Sequence, residues 1–365
     1  MQVTIVGLPG SGKTTVFNAL TGGHAETGGF SGGRAAPNVS VVKVPDERVD
    51  RLAALFVPKK TTYADVTYVD VAIPAGAARE GTVNPDVLAQ IRNADALVHV
   101  VRAFDDPTSP TAADPWRDVD DLDLEFTVAD LTVIEKRLEK LKTQGRHGSQ
   151  SERELAQREQ EVLERIEPHL SDGRPIRSFG LTDDDEFLLR GYRFLTQKPV
   201  LVVLNIDEGR LPEAAALKAG GRERYAQPHS DVVALAGKIE AEIGELPEVD
   251  ARLFMDDLGI EEPSRGRVIG LTYALLGLFS FFTAGEDECR AWTLPIGSSA
   301  LDAAAAIHSD LARGFIRAEV IGVDDLIGAG SIAEARKRGI LRQEGKTYLV
   351  RDNDVLQILF NVARQ

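Results

Sequence analysis

The chain has 365 residues, 43% of them hydrophobic, a formal charge of −15 and one cysteine, Cys289. That length supports two or three domains, each with its own core. A single cysteine excludes an internal disulfide and a cysteine-based zinc cluster, and the acidic balance excludes a surface coated throughout with nucleic acid, which needs clustered Lys and Arg.

The first element is the short apolar run Val3-Thr4-Ile5-Val6, read as a strand, followed at once by Gly7-Leu8-Pro9-Gly10-Ser11-Gly12-Lys13-Thr14. The octapeptide fits G-x-x-x-x-G-K-[ST] in the strand-to-helix setting that this phosphate cradle requires. Glycines let backbone amides close around phosphate oxygens, Lys13 adds a cation near the β and γ phosphates, and the Thr14 hydroxyl is a ligand for Mg²⁺. A helix from Thr14 to Leu20 would aim its positive end at the same anion. Gly10, Ser11, Gly12, Lys13, Thr14 and Thr15 are therefore the predicted phosphate-binding residues, with Lys13 in the catalytic role. A dinucleotide-binding G-x-G-x-x-G loop is absent from this stretch. With strand and loop this close to Met1, no signal peptide is expected; no apolar run reaches the roughly 18 residues of a membrane span, and a cytoplasmic protein is expected.

Further apolar, β-rich runs follow at Val39–Val42, Val66–Val69, Ala96–Val101, Val200–Leu204 and Val232–Leu235, with helical patterns between most of them. Such alternation predicts an α/β fold with a mostly parallel sheet covered on both faces. Asp70, ending the second of these strands after the phosphate loop, is where P-loop enzymes place the acid that holds Mg²⁺ through water. From Asp130 to Gln197 the pattern becomes long, charged helices. Leu131, Ile134, Leu138 and Leu141 recur at helical spacing, as do Leu155, Val162, Leu163 and Ile166 beyond a loop at 143–150, which predicts an inserted helical hairpin. Asn205-Ile206-Asp207-Glu208 then follows a buried strand, the position of a base-reading loop. Guanine-specific loops read Asn-Lys-x-Asp; here Ile206 replaces Lys and Glu208 replaces Asp, and the extra methylene displaces the carboxylate beyond hydrogen-bond tolerance. Asn205, Ile206 and Glu208 are the predicted base-side contacts, with guanine selection weakened.

After Leu271 the scale of the pattern shrinks: an aromatic run at Phe279–Thr283, a helix near Ala300–Ala312, and closing strands at Thr347–Val350 and Val355–Val362 suggest a compact α+β module. Residues 279–365 carry 10 Lys and Arg against 12 Asp and Glu, so any RNA contact is expected in this near-neutral part. His99, flanked by valines, reads as a packed strand residue, and His308 as a helical residue remote from the phosphate loop; neither is given a role.

Taken together, these residues resemble the YchF or Obg-like ATPase family, a branch of the translation-factor-class P-loop proteins. The resemblance spans nearly the whole chain. Its most specific part is C-terminal, at Phe282-Thr283-Ala284-Gly285, Arg290-Ala291-Trp292-Thr293, Ile307-His308-Ser309-Asp310 and Gly314–Ile321, which resemble the TGS domain of that family. Phe17–Thr21, Pro37-Asn38-Val39, Val44-Pro45-Asp46, Arg48-Val49-Asp50 and His99–Arg102 add to it. Membership implies a P-loop NTPase G domain, expected at 1–129 and 198–276, an inserted α-helical, coiled-coil-like arm at 130–197, and a TGS domain at 277–365. It also implies ATP accepted as well as or better than GTP, Mg²⁺ as cofactor, slow turnover, and association with ribosomes or RNA.

The chain departs from the family pattern at several points. Gly10-Ser11 stands where the family usually has Asn-Val, which removes a potassium ligand. Arg34, in a glycine-rich run, falls near the switch threonine; it is a candidate cis cation toward phosphate. Asp-x-x-Gly becomes Asp70-Val71-Ala72-Ile73, which replaces a pivot glycine by a β-branched residue. The segment 105–118 lacks the histidine proposed to position water. Two readings follow: a slow, ATP-preferring NTPase, or a nucleotide-gated binding module that no longer turns over.

Overall fold

The computed structural model describes residues 1–25, 37–71, 85–144 and 149–361. They divide into two units, 1–41 with 67–268, and 42–66 with 269–365. In chain order come β1 (Gln2–Val6), α1 (Lys13–Thr21), β2 (Asn38–Lys43), α2 (Glu47–Phe56), β3 (Lys60–Thr62), β4 (Asp65–Asp70), α3 (Pro85–Arg92) and β5 (Ala96–Arg102). The middle of the chain forms α4 (Pro115–Gln144), α5 (Gln150–Ser171), α6 (Asp183–Leu189), β6 (Val200–Asn205), α7 (Ala214–Arg224), β7 (Ser230–Leu235), α8 (Gly237–Glu245), α9 (Glu248–Leu258) and α10 (Ser264–Leu275). The remainder is β8 (Leu278–Thr283), β9 (Glu288–Pro295), α11 (Ala300–Ile307), α12 (Ser309–Arg313), β10 (Phe315–Gly322), α13 (Val323–Ala329), α14 (Ile332–Lys337), β11 (Arg342–Glu344) and β12 (Asp354–Phe360).

The sheet of the first unit has the order β2-β4-β1-β5-β6-β7, and β4, β1, β5, β6 and β7 run parallel. The central strands β1, β5 and β6 are apolar without alternation because both faces are covered: Val3, Ile5, Val98, Val100, Leu201 and Val203 are fully buried, as are Val6, Val101 and Val202. The latter three join a core with Val119, Leu122 and Phe126 of α4. Strand order reverses around β1, whose carboxyl end releases the glycine loop, so the loop lies at the switch point where open α/β sheets bind ligands.

The helical hairpin is present, but α4 begins at Pro115, well before Asp130. One helix serves two cores. Its first half packs on the sheet, and its second half, through Ile134, Leu138 and Leu141, packs on Val162, Leu163, Ile166 and Leu170 of α5. The break in composition at Asp130 marks this change of partner rather than a helix start. Leu155 is half exposed. At the hairpin's root the fully buried Asp130 accepts hydrogen bonds at Oδ2 from Thr196 N (2.8 Å) and Oγ1 (3.0 Å), while Oδ1 pairs with Arg92 (3.0 Å). Removing one partner of such a buried pair costs about 3–5 kcal/mol, which fixes where the hairpin leaves the sheet.

The second unit is α+β. Its sheet has the order β11-β10-β12-β8-β9-β3 and is mixed, with β8–β9, β10–β12 and β10–β11 antiparallel and β3–β9 and β12–β8 parallel. The early segment 42–66 belongs here, inside the span expected for the P-loop domain, because Lys60–Thr62 pairs with Glu288–Arg290 and Arg48 reaches Asp352 at 2.7 Å. Two sequence expectations differ from the structure. Thr347–Val350 is not a strand: only Leu349 makes an isolated bridge, to Ser299, since Ala300 N and Val350 N exchange bonds with Tyr348 O and Ser298 O across a helix start. The helix expected near Ala300–Ala312 breaks at His308, which is extended and whose Nδ1 accepts from Asp310 N (3.1 Å) to cap α12; His308 is thus a cap between helices, not a helical residue.

Candidate nucleotide-binding site

The glycine loop owes its path to two positions. Gly7 has φ +147°, and a Cβ there would lie 2.2 Å from Val100 O; Gly12 has φ +85°, and a Cβ would lie 2.2 Å from Asn205 Nδ2. Only glycine permits both the backbone angle and the approach. Gly12 is also the N-cap of α1, and as glycine it supplies no side-chain acceptor to the first-turn amides, nor is there an acidic residue in that turn. Those amides have no partner within the helix. They form, with the positive end of the helix dipole, a seat for an anion.

Lys13 is buried, and its Nζ donates to Leu8 O at 3.0 Å. Burial pulls its pKa down to about 8, against the opposing pull of Asp70. The ammonium is thus held inside the loop at some electrostatic cost, which a bound anion would relieve. Thr14 Oγ1 donates to Asp70 Oδ2 at 2.8 Å, and Asn38 Nδ2 approaches the same oxygen at 3.4 Å. The other carboxylate oxygen, Asp70 Oδ1, is buried with no hydrogen-bond partner among the described residues, and so is Ser11 Oγ. Buried polar atoms are ordinarily satisfied; two orphans beside an uncapped helix start mark a place built for a ligand.

Asn205, at the end of β6, is buried and committed to the protein. Its Nδ2 donates to Ser11 O and its Oδ1 accepts from Gly237 N, each at 3.0 Å. It ties the phosphate loop to the start of α8. Ile206 is buried in the sheet core and its amide donates to Leu235 O. Glu208 is exposed at the start of a short 3₁₀ turn. Thr15 is partly buried on the first turn of α1. Asp70 comes together with Lys13 and Thr14 as the sequence order suggested, whereas Arg34, the glycines around it, Ile73 and 145–148 of the hairpin tip lie outside the described residues. His99 is buried on β5, as its valine flanks indicated.

Three neighbours carried no sequence assignment. Gly237 supplies the amide that fixes Asn205, and a Cβ on it would meet Asn205 Oδ1 at 2.9 Å. Asn38 leans on Asp70. Phe104 lies alongside Gly12, its ring 3.8 Å from where a Cβ would sit. Gly237 opens α8 two residues after β7 ends at Leu235, and its sequence surroundings carried no signal of this role. Among the described residues there is no cluster of three or more His, Cys, Asp or Glu side chains arranged to hold a metal, and no helix long and apolar enough to cross a membrane.

Residues 2–137 match the family model described as 50S ribosome-binding GTPase, and residues 278–361 match the YchF GTPase C-terminal model, described as a protein of unknown function (DUF933). The "Ribosome-binding ATPase YchF" of Bacillus subtilis (strain 168) is 38% identical over 364 residues, covering 98% of each chain. The chain belongs to the YchF family. The Pasteurella multocida (strain Pm70) YchF protein of the same description is 40% identical over 362 residues, again 98% of each. The solved YchF GTPase of Schizosaccharomyces pombe superposes with a TM-score of 0.84 at 27% identity, covering 98% of this chain and 97% of that one. The YchF architecture, a G domain with a mostly parallel sheet followed by a C-terminal domain, is therefore the fold of this chain.

Proposed function

We infer that this chain is an ATP-preferring nucleotide-binding protein with slow hydrolysis, whose nucleotide state governs association with a ribosomal or RNA-associated partner. The observation that carries the reading is the uncapped start of α1 at Gly12, with the buried Lys13 ammonium beside it. Gly10, Ser11, Gly12, Lys13, Thr14 and Thr15 would embrace the phosphates, with Lys13 and the amides of residues 10–14 stabilising charge on the transferring group. The unpartnered Asp70 Oδ1 and the Thr14 hydroxyl fit a Mg²⁺ site, Thr14 as ligand and Asp70 through water. A bound Mg²⁺ would neutralise phosphate charge. On the base side Ile206 and the exposed Glu208 disfavour guanine, because no Asp stands where a guanine edge would donate to one, while Asn205 braces the phosphate loop beneath them. Partner association rests on family membership and on the relatives described as ribosome-binding ATPases, with the hairpin and a C-terminal TGS domain as its contact elements.

The replacement of the pivot glycine by Ile73 supports a second reading, a nucleotide-gated module without useful turnover. Calorimetric titration with Mg-ATP and Mg-GTP side by side, together with steady-state phosphate release, separates the two. Tight Mg-ATP binding with release that vanishes in Lys13→Ala supports the enzyme. Binding without Lys13-dependent release supports the module, and tenfold tighter GTP overturns the ATP preference.

A further inference from the structure

At the amino ends of β5 and β6, opposite the edge that releases the phosphate loop, the first unit has a cavity of about 360 Å³. Arg92, Arg190, Arg193 and Lys198 line it, with Asp95 as the one carboxylate. In a chain of charge −15, four cations around one hollow are out of keeping with the rest of the molecule. Asp95 Oδ2 accepts from Gln2 N at 2.8 Å, and the charges of Asp95 and Asp130 both act on Lys198, so two carboxylates face four cations and leave an excess of positive charge. Lys198 is buried and donates to backbone carbonyls, Arg92 O at 3.0 Å and Ala94 O, and not to a carboxylate. Arg92 is anchored by Asp130. Arg193 donates to Asn93 Oδ1, on a backbone with φ +51° that few side chains adopt, and Arg190 lies over the Phe187 ring, 3.9 Å from its centroid. Among the described residues, neither Arg190 nor Arg193 forms an ion pair with a carboxylate. Asp130 and Asp95 offset the floor cations Arg92 and Lys198, while the charges of Arg190 and Arg193 are left for an anion to neutralise.

We propose that this cavity is a second anion site, distinct from the phosphate loop, that takes a diphosphate group. Guanidinium forks match phosphate oxygens in bidentate geometry, Arg190 and Arg193 supplying the exposed jaws while Arg92 and Lys198 form the floor. The size suits a compact ligand. The cations are confined to one hollow at the amino ends of β5 and β6 and do not extend into a stripe, which favours a discrete anion over an extended nucleic-acid strand.

The test is titration of the full chain with inorganic pyrophosphate in EDTA, which weakens Mg²⁺-dependent binding at the phosphate loop. Arg190→Gln and Arg193→Gln should each weaken binding roughly tenfold, about 1.4 kcal/mol, and Lys13→Ala should leave this binding in place. Arg190→Gln touches only an exposed side chain, so it reports on the site even if Arg193→Gln disturbs the turn. Uridine diphosphate, titrated in parallel, identifies the source: tighter binding than pyrophosphate with the same arginine dependence assigns a nucleoside diphosphate, and equal or weaker binding assigns the free anion. Either result supports the site. No binding, binding lost only in Lys13→Ala, or capture of a short RNA oligonucleotide that pyrophosphate does not displace would each overturn it.

Discussion

Asn205 holds the carbonyl of Ser11 at 3.0 Å, joining residues 194 positions apart and tying the carboxyl end of β6 to the phosphate loop. The same carboxamide takes the amide of Gly237, so both of its ends are used before any nucleotide arrives. Asn205→Ala would strand a buried acceptor on Ser11 and a buried donor on Gly237, at a cost of roughly 2–4 kcal/mol. Gly12→Ala strikes the same contact from the other side, because the new methyl would lie 2.2 Å from Asn205 Nδ2 at φ +85°. Urea unfolding of both variants and the double variant should reveal coupling: with Asn205 already shortened the Gly12→Ala clash is relieved, and the combined loss should fall short of the sum by about 1 kcal/mol or more. Strict additivity would mean that the two residues do not share this contact.

Lys13 gives the site a protonation signature. Its pKa is pulled down to about 8 from 10.5 by burial, so without ligand the unfolded chain binds more protons than the folded one between those values, and stability rises with pH across that window. A triphosphate beside the ammonium reverses the shift. Binding at pH 8 should therefore take up roughly half a proton, and at about pH 6.5 almost none. Calorimetry in two buffers of different ionisation heat measures this directly, and Lys13→Met should abolish the uptake. Binding heats that do not depend on the buffer at pH 8 would place the lysine elsewhere in the complex.

The phosphate loop was legible because its determinants are contiguous: Gly7 to Thr14 states its own backbone angles and its own charge. Asp70 was legible by order along the chain. Asn205 was found by position, but its work as a tie to Ser11 and Gly237 needed the fold, since nothing local to Gly237 distinguishes it from other helix-opening glycines. Strands β3 and β11, Lys60–Thr62 and Arg342–Glu344, carry no apolar alternation because they are short, polar edges of their sheet, the form in which edges resist pairing with another chain. The helical pattern of α11 continues past His308, where the extended backbone and the ring's acceptance from Asp310 N start a new helix, a local hydrogen bond that competes with the helical one.

His99 should leave its mark on acid stability. It is 2% exposed, its Nε2 has no hydrogen-bond partner among the described residues, and burial, reinforced by the charges of Lys13 and Arg177, pushes its pKa down to about 3 from 6.5. The folded chain holds this ring neutral while the unfolded chain protonates it. Stability from this group is therefore complete above about pH 6.5 and is lost as pH falls toward 3, by up to about 1.4 kcal/mol per pH unit. His99→Leu removes the titration and the unpaired nitrogen together, so its urea midpoint should decline less steeply than that of the parent between pH 6.5 and 4.5, with the two curves separating by roughly 2–3 kcal/mol over that range. Parallel curves would show that the folded protein protonates His99 as readily as the unfolded chain does, which its burial between β1 and β6 does not allow.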